Sequence, residues 1–418
     1  MEEIISLNTL MIAFALSLFI SILVTKAGAK YGIPTLVLFL GVGILFGKDG
    51  LFGIEFEDYK YVQDIGSIAL CIILFGGGMG TQFKNIRPVI APGVALATVA
   101  VVITTLITGT FVWWLSGMEW TNIHFPIIGA LLCAATMSST DSASVFAILR
   151  ERNINLKHNL CPMLELESGS NDPIAFMMTI LLIDICTRDA SGVSWWAIGG
   201  NILCQFGLGT ALGWLFGRGS SFVINRMKVS NPALYPIMLI SLIFFTYAIT
   251  DLCNGNPYLA VYIAGIMVGN GELERRQEIA QFLDVTTWLM QIYMFTILGL
   301  IVVPSEMLLV APVALIIGVF MIFVARPLSV FITMLPFKYN FRSKAFISWV
   351  GLRGASPIIF SIYPVVAGVE EGKVIFNIVF FITLLSLLLQ GMSLSKVADW
   401  LGLALPEEEA ADAVKEDK

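Results

Sequence analysis

Apolar runs long enough to cross a lipid bilayer alternate with short polar breaks along almost the whole chain. They predict thirteen spans, at 4–25, 32–47, 63–80, 88–115, 123–149, 160–186, 194–217, 231–250, 256–270, 281–303, 307–334, 344–366 and 374–393. A transmembrane helix needs ~20 apolar residues, so the predicted fold class is an all-α polytopic membrane protein. The first span is too long for a signal peptide and lacks a basic flank and a small-residue cleavage site, so it reads as a retained helix.

Composition narrows this picture. Of 418 residues, 57% are hydrophobic and only 13% charged, against roughly 25% charged in soluble domains. A soluble globular protein is excluded. Asp and Glu number 30 against 24 Lys and Arg, and the positive charges are scattered rather than gathered on one element, which argues against nucleic acid as a partner.

The loop charges give an orientation. With an odd number of spans the termini lie on opposite sides, and alternate breaks beginning with Lys26 and Lys30 collect 18 of the basic residues against 4 on the other side. Positive charge marks the cytoplasmic face, so the N-terminus is expected outside and the C-terminus in the cytoplasm. The expected location is the plasma membrane, with lipid as the surrounding partner. Residues 1–400 form the predicted transmembrane domain. The segment 401–418, with Glu407, Glu408 and Glu409, reads as a charged cytoplasmic tail too short to bury a core.

Two basic residues, Arg326 and Arg353, remain inside spans. A charge in lipid is costly and needs a partner or a task. Acids deep inside spans include Asp141, Glu167 and Asp172. Asp141 belongs to Thr136-Met137-Ser138-Ser139-Thr140-Asp141-Ser142-Ala143-Ser144 in the fifth span. Short hydroxyl residues bond to nearby backbone, so this run suits either an unwound segment lining a cavity or the cap of a half-helix.

The sixth span carries Glu165-Leu166-Glu167-Ser168-Gly169-Ser170-Asn171-Asp172-Pro173. On a helix Ser168 and Asp172 share a face, with Glu167 and Asn171 on the adjacent strip. Pro173 has no N–H, which leaves the Gly169 carbonyl without its helical donor. A carboxylate, a hydroxyl, an amide and a free carbonyl within one turn suit a dehydrated monovalent cation or a proton. Arg326 stays charged and Glu167 is the uncompensated acid, so the two are expected to pair. Arg353, in Gly351-Leu352-Arg353-Gly354-Ala355-Ser356-Pro357, fits either a cytoplasm-facing cap or a place near the Asp141 segment.

The six cysteines show no C-x-x-C spacing and read as small apolar residues. His124 and His158 have no partner at metal-ligand spacing, so no resident metal and no cofactor is expected. The glycines Gly41, Gly43, Gly47 and Gly76 to Gly80 read as close-packing positions. If the seventh span is a connector, the broken fifth and twelfth spans fall at the fifth place of two six-helix halves, the second inverted. That arrangement points to a transporter with its site at the midplane.

These motifs, Ser139-Thr140-Asp141, Glu167-Ser168 with Asn171-Asp172, Arg326, and Gly351-Leu352-Arg353-Gly354, resemble those of monovalent cation/proton antiporters of the NhaP and NHE branch. The likeness is strongest to bacterial CvrA-like NhaP-type K⁺(Na⁺)/H⁺ antiporters and covers about residues 1–400. It implies an NhaA-like fold in which broken helices 5 and 12 cross. It implies a homodimer with dimer-side helices at about 1–80 and 231–303 and core helices at about 88–186 and 307–393. It also implies that Asp172 takes a cation (Na⁺, K⁺ or Li⁺) and a proton in turn, helped by Ser168, Asn171, Asp141 and Thr140, while Glu167 and Arg326 form a structural pair. Asn171 before Asp172 implies electroneutral exchange. Ser142 departs from the Pro or Ala of many relatives. Relatives of this kind commonly continue into cytoplasmic regulatory domains, so such a domain, missing from these residues, is an expected partner.

Burial disfavours a free carboxylate and a bound cation favours it, so cation and proton would compete for Asp172. The expected activity is secondary active exchange with alternating access, not enzymatic catalysis. Two other readings stand beside it. A cation channel or sodium-coupled symporter would use the same scaffold. An intramembrane aspartyl protease would use Asp141 and Asp172 as a dyad sharing a proton, but it is usually marked by a Gly-x-Gly-Asp sequence that is absent here.

Overall fold

The computed structural model describes residues 15–25, 34–121, 123–141, 145, 149, 154, 156–187 and 195–405. Residues 4–14 of the first predicted span, Ser142, the basic loop residues Lys26, Lys30, Arg150, Arg152 and Arg188, and the tail from 406 onward lie outside them.

The described residues are helical, with no strand beyond an isolated antiparallel bridge between Leu156 and Ala404. In chain order the helices are α1 (Ala15–Thr25), α2 (Thr35–Phe46), α3 (Tyr59–Gly80), α4 (Phe83–Ser116) and α5 (Ile127–Thr136). Then follow α6 (Leu160–Thr187), α7 (Trp195–Met227), α8 (Leu234–Leu252), α9 (Pro257–Gly269) and α10 (Arg276–Leu300). The last are α11 (Pro304–Thr333), α12 (Phe341–Trp349), α13 (Ala355–Val366) and α14 (Gly372–Trp400). Seven of them, α3, α4, α6, α8, α10, α11 and α14, are long and apolar enough to cross a membrane by length and composition. The protein is a multi-pass membrane protein.

Local chemistry sets several helix starts. The side chains of Asp58, Asn256 and Asn340 accept from the N–H groups of Tyr61, Leu259 and Ser343, capping α3, α9 and α12. Pro257 and Pro304 occupy first-turn positions, where a missing N–H costs nothing. α7 runs on to Met227, ten residues past the predicted span, because Arg218, Asn225 and Arg226 are compatible with a helix but carry no apolar signal. Large apolar side chains such as Phe19, Leu203, Phe222 and Leu309 are exposed, as lipid-facing positions must be.

The helices pack as two groups. α2, α3 and α7–α10 contact one another, and α4–α6 with α11–α14 form the second group. Within the first, α9 crosses α3 where Gly78 and Gly265 let the two backbones touch. Three long helices contain π-helical turns, at Leu96–Ala100, Met321–Ala325 and Leu387–Gly391. Such turns re-aim side chains. The second ends directly before Arg326, and the third contains Gln390.

Candidate ion-binding site

The site starts from two interruptions of helix. α5 stops at Thr136, whose hydroxyl donates back to the Cys133 carbonyl (2.8 Å), as Ser138 does to Ala135 (2.7 Å). Residues 138–141 are then outside any helix, while Val145 and Leu149 are again helical. In the second interruption α12 ends at Trp349 and α13 begins at Ala355. The two unwound segments touch. The Asp141 N–H donates to the Leu352 carbonyl (2.8 Å), and Arg353 Nη1 donates to the carbonyls of Ser138 (3.0 Å) and Ser139 (2.6 Å).

Electrostatics explains why this crossing holds. A helix C-terminus presents unpaired carbonyls and partial negative charge, an N-terminus the reverse. Arg353 serves the carbonyls just beyond α5, and the Asp141 carboxylate lies against Gly354 at the start of α13. Arg353 is buried at 2% exposure, so of its two expected placements the structure has the one near the Asp141 segment. Its backbone N–H donates to Ser386 Oγ (3.0 Å), Ser386 donates to Gln390 Oε1 (2.5 Å), and Gln390 donates to the Trp349 carbonyl (2.8 Å). That chain ties the second interruption to α14.

Gly354 has no alternative here, because a Cβ on it would overlap the Asp141 carboxylate. Overpacking of this kind costs ~1–3 kcal/mol. Gly354→Ala is expected to lower the thermal midpoint of the purified protein and to slow exchange. Wild-type values for both would show that the crossing has room to spare.

Asp172 sits beside the crossing on α6 at 6% exposure. Its Oδ1 accepts from the Ser139 hydroxyl and its Oδ2 from the Ser356 hydroxyl (2.9 Å). Ser168 Oγ donates to the Thr140 carbonyl (2.8 Å), and Asn171 Nδ2 donates to Thr140 Oγ1 (2.6 Å). Asn171 Oδ1 is buried with no hydrogen-bond partner among the described residues. The structure thus brings Thr140, Ser168, Asn171 and Asp172 together. Every polar group offered is an oxygen or an amide, and among the described residues no group of three or more His, Cys, Asp or Glu is placed to hold a metal ion. Such a set can hold a proton or a weakly hydrated monovalent ion.

Behind this cluster, Arg326 Nη2 donates to Glu167 Oε1, with the two side chains 3% and 1% exposed. The same nitrogen reaches the Ile347 carbonyl in the last turn of α12 (3.5 Å). Gly351 packs on the guanidinium, where an added Cβ would stand 2.9 Å from Nε. The pair therefore joins α6, α11 and the second interruption. The hydrogen bonds of Arg326 go to Glu167 and Ile347, not to Asp172 or its two serine partners, and the pair holds the helix that presents Asp172.

Ser139 and Ser356, the two hydroxyls on Asp172, are not among the residues singled out from the sequence as binding groups. Both stand within the quoted motifs, but unwound backbone has no fixed periodicity, and nothing in the residue order says which hydroxyl turns toward the carboxylate.

Residues 14–400 match the family described as sodium/hydrogen exchanger, transmembrane. The chain is 40% identical over 407 residues to the K(+)/H(+) antiporter NhaP of Alkalimonas amylolytica, covering 97% of this chain and 69% of that protein. It is 40% identical over 408 residues to the K(+)/H(+) antiporter NhaP2 of Shewanella sp. (strain ANA-3), covering 96% and 68%. With the Na(+)/H(+) antiporter ApNhaP of Aphanothece halophytica it shares 26% over 422 residues, covering 95% and 75%. The solved structure of the sodium proton antiporter MjNhaP1 from Methanocaldococcus jannaschii superposes with a TM-score of 0.78 at 23% identity, covering 94% of this chain and 99% of that one, which shows the fold. The chain belongs to the sodium/hydrogen exchanger family and is a monovalent cation/proton antiporter.

Proposed function

We propose that the protein exchanges K⁺, Na⁺ or both for H⁺ by competition of cation and proton for Asp172. The observation that carries this is the Asp172 carboxylate itself, buried between two interrupted helices and held by two serine hydroxyls. A carboxylate so enclosed is neutralised either by a proton or by a cation. If the site moves between the two sides only when neutralised, exchange is obligatory and leak is suppressed. Ser168, Thr140 and Asn171 supply further oxygens, with Asp141 close to the crossing and Glu167–Arg326 as the brace. Arg353 holds the crossing together.

The architecture proposed is of thirteen crossings. Counting α5 with the helical positions beyond the first interruption as one crossing, and α12 with α13 as another, gives that number and places the interruptions fifth and twelfth. Two inverted six-helix repeats around α7 follow from this count. The two packing groups support a mobile core of α4–α6 and α11–α14 moving against a dimer-side group of α2, α3 and α8–α10. A homodimer in the bacterial inner membrane, N-terminus outside and C-terminus cytoplasmic, completes the reading. K⁺ transport is favoured by the names of the 40%-identical relatives.

The test is exchange in proteoliposomes with a trapped pH dye, adding Na⁺, K⁺ or Li⁺ in turn. Cation-evoked alkalinisation on the proton-releasing side is the expected result, and its absence with all three would sink the reading. With a single shared carboxylate the exchange is one for one, so a potential-sensitive dye should stay silent and a clamped membrane potential should leave the rate unchanged. A rate that follows the clamped potential would rule out electroneutrality.

A further inference from the structure

Between the two helix groups lies a cavity of about 900 Å³, with Lys60, Asp64, Asp184 and Asp251 in its lining. Phe176, Tyr363 and Ser67 also line it, and Phe176 is one helical turn beyond Asp172. Three hydrogen bonds join the two groups on this side of Asp172. Asn256 Nδ2, at the start of α9, donates to the Pro173 carbonyl on α6 (2.7 Å). Tyr363 OH on α13 bonds Ser67 Oγ on α3 (2.9 Å) and Tyr258 OH on α9 (3.2 Å). The Phe176 ring meets Tyr258 and Tyr363 edge-on, with centroids 4.7 and 5.4 Å away.

The approach to the carboxylate from the cavity is therefore crossed by bonds that join the two groups.

We propose that this cluster is the gate that shuts Asp172 off from the cavity, and that Asn256 is the positioning residue that latches it. The proposal rests on the alternating-access reading above. On the charge-sorted orientation the cavity is external. Asn256 is fully buried and each of its groups is in use: Oδ1 caps Leu259, the backbone N–H donates to the Gln205 carbonyl (3.0 Å), and Nδ2 holds Pro173, the residue after Asp172. Movement of α6 past α9 must break the Pro173 bond, because the two ends of that bond belong to different groups. The latch therefore stabilises the state closed toward the cavity, and breaking it shifts population toward the state open to the cavity.

The experiment compares the wild type with Asn256→Ser and Tyr363→Phe in oriented proteoliposomes, measuring half-saturation for the transported cation from each side. Serine keeps an oxygen for the cap but does not reach Pro173; phenylalanine keeps the ring and drops two hydrogen bonds. Losing a net hydrogen bond changes an equilibrium about 3- to 10-fold, so half-saturation from the cavity side should fall by about that factor and rise from the opposite side. A merely structural role would move both values together or neither, and either result overturns the latch. Tyr363→Phe carries the test if Asn256→Ser does not fold. In a chain whose six native cysteines are replaced, Ser67→Cys with Tyr363→Cys bridged by a short bifunctional thiol reagent should stop exchange. Exchange that continues through the bridge would overturn the gate. A wild type without cation-evoked exchange would count against the antiport reading instead.

Discussion

Asp172→Asn is expected to reduce cation-evoked pH change in proteoliposomes to the level of protein-free vesicles, whichever cation is added. Asparagine keeps the size of the side chain and can still accept from a serine hydroxyl, so the fold should survive. What it removes is the charge that a cation needs and the basic oxygen that a proton needs. Both halves of the exchange are lost in one substitution. Smaller effects are expected at the supporting hydroxyls: a hydrogen bond to a charged group contributes ~1.5–3 kcal/mol, so Ser356→Ala should weaken the charged form of the site and raise the half-saturation for cation about tenfold or more without abolishing exchange. Thermal midpoints measured beside the rates separate these cases from misfolding. Full exchange by a well-folded Asp172→Asn protein would require another carrier of the proton.

Arg326→Met is the second large effect expected, and it acts on stability. The Glu167 carboxylate, 1% exposed, would lose its cationic partner. Removing one member of a buried pair typically costs ~3–5 kcal/mol, because the remaining charge is left buried and uncompensated. Glu167→Met should cost a similar amount by stranding Arg326. The double variant should be milder than either single one, since two apolar residues of similar length leave no orphan charge. Thermal unfolding in detergent, compared at one scan rate because such unfolding is often irreversible, gives the order expected: wild type and double variant above the single variants. Single variants as stable as the wild type would mean that the pair contributes nothing to holding α6 against α11. Exchange by the double variant would further separate bracing from ion binding, since neither residue bonds the hydroxyls on Asp172.

Much of this was legible in the sequence for one physical reason: polar groups in lipid are so costly that they stand out. The run from Thr136 to Asp141 and the Gly351–Gly354 motif mark the two interruptions, because each sets a charged residue among hydroxyl residues or glycines inside an apolar span. Arg326 needed an acid, and Glu167 was the uncompensated one. Arg353 kept two readings until the fold brought the Ser138 and Ser139 carbonyls within reach of its guanidinium. Contacts between residues far apart in the chain were illegible for the opposite reason. Ser356 lies 184 residues from Asp172, and a serine near a proline carries no mark of its partner. Asn256 caps α9, and its second bond, to Pro173, exists only because α9 runs against α6. Helix ends are also illegible where they leave the lipid, as at α7, since apolar patterning ends with the hydrocarbon and helical hydrogen bonding does not.

Proton release on cation binding tests the central claim most directly. Purified protein is held in weakly buffered detergent solution at a pH where the site is protonated, and a cation that the wild type exchanges is added while released protons and bound cation are counted together. Sharing of a single carboxylate predicts close to one proton released for each cation bound, and neither in Asp172→Asn. Cation that binds the wild type tightly and releases no proton would contradict it, because the two ions would then occupy separate sites.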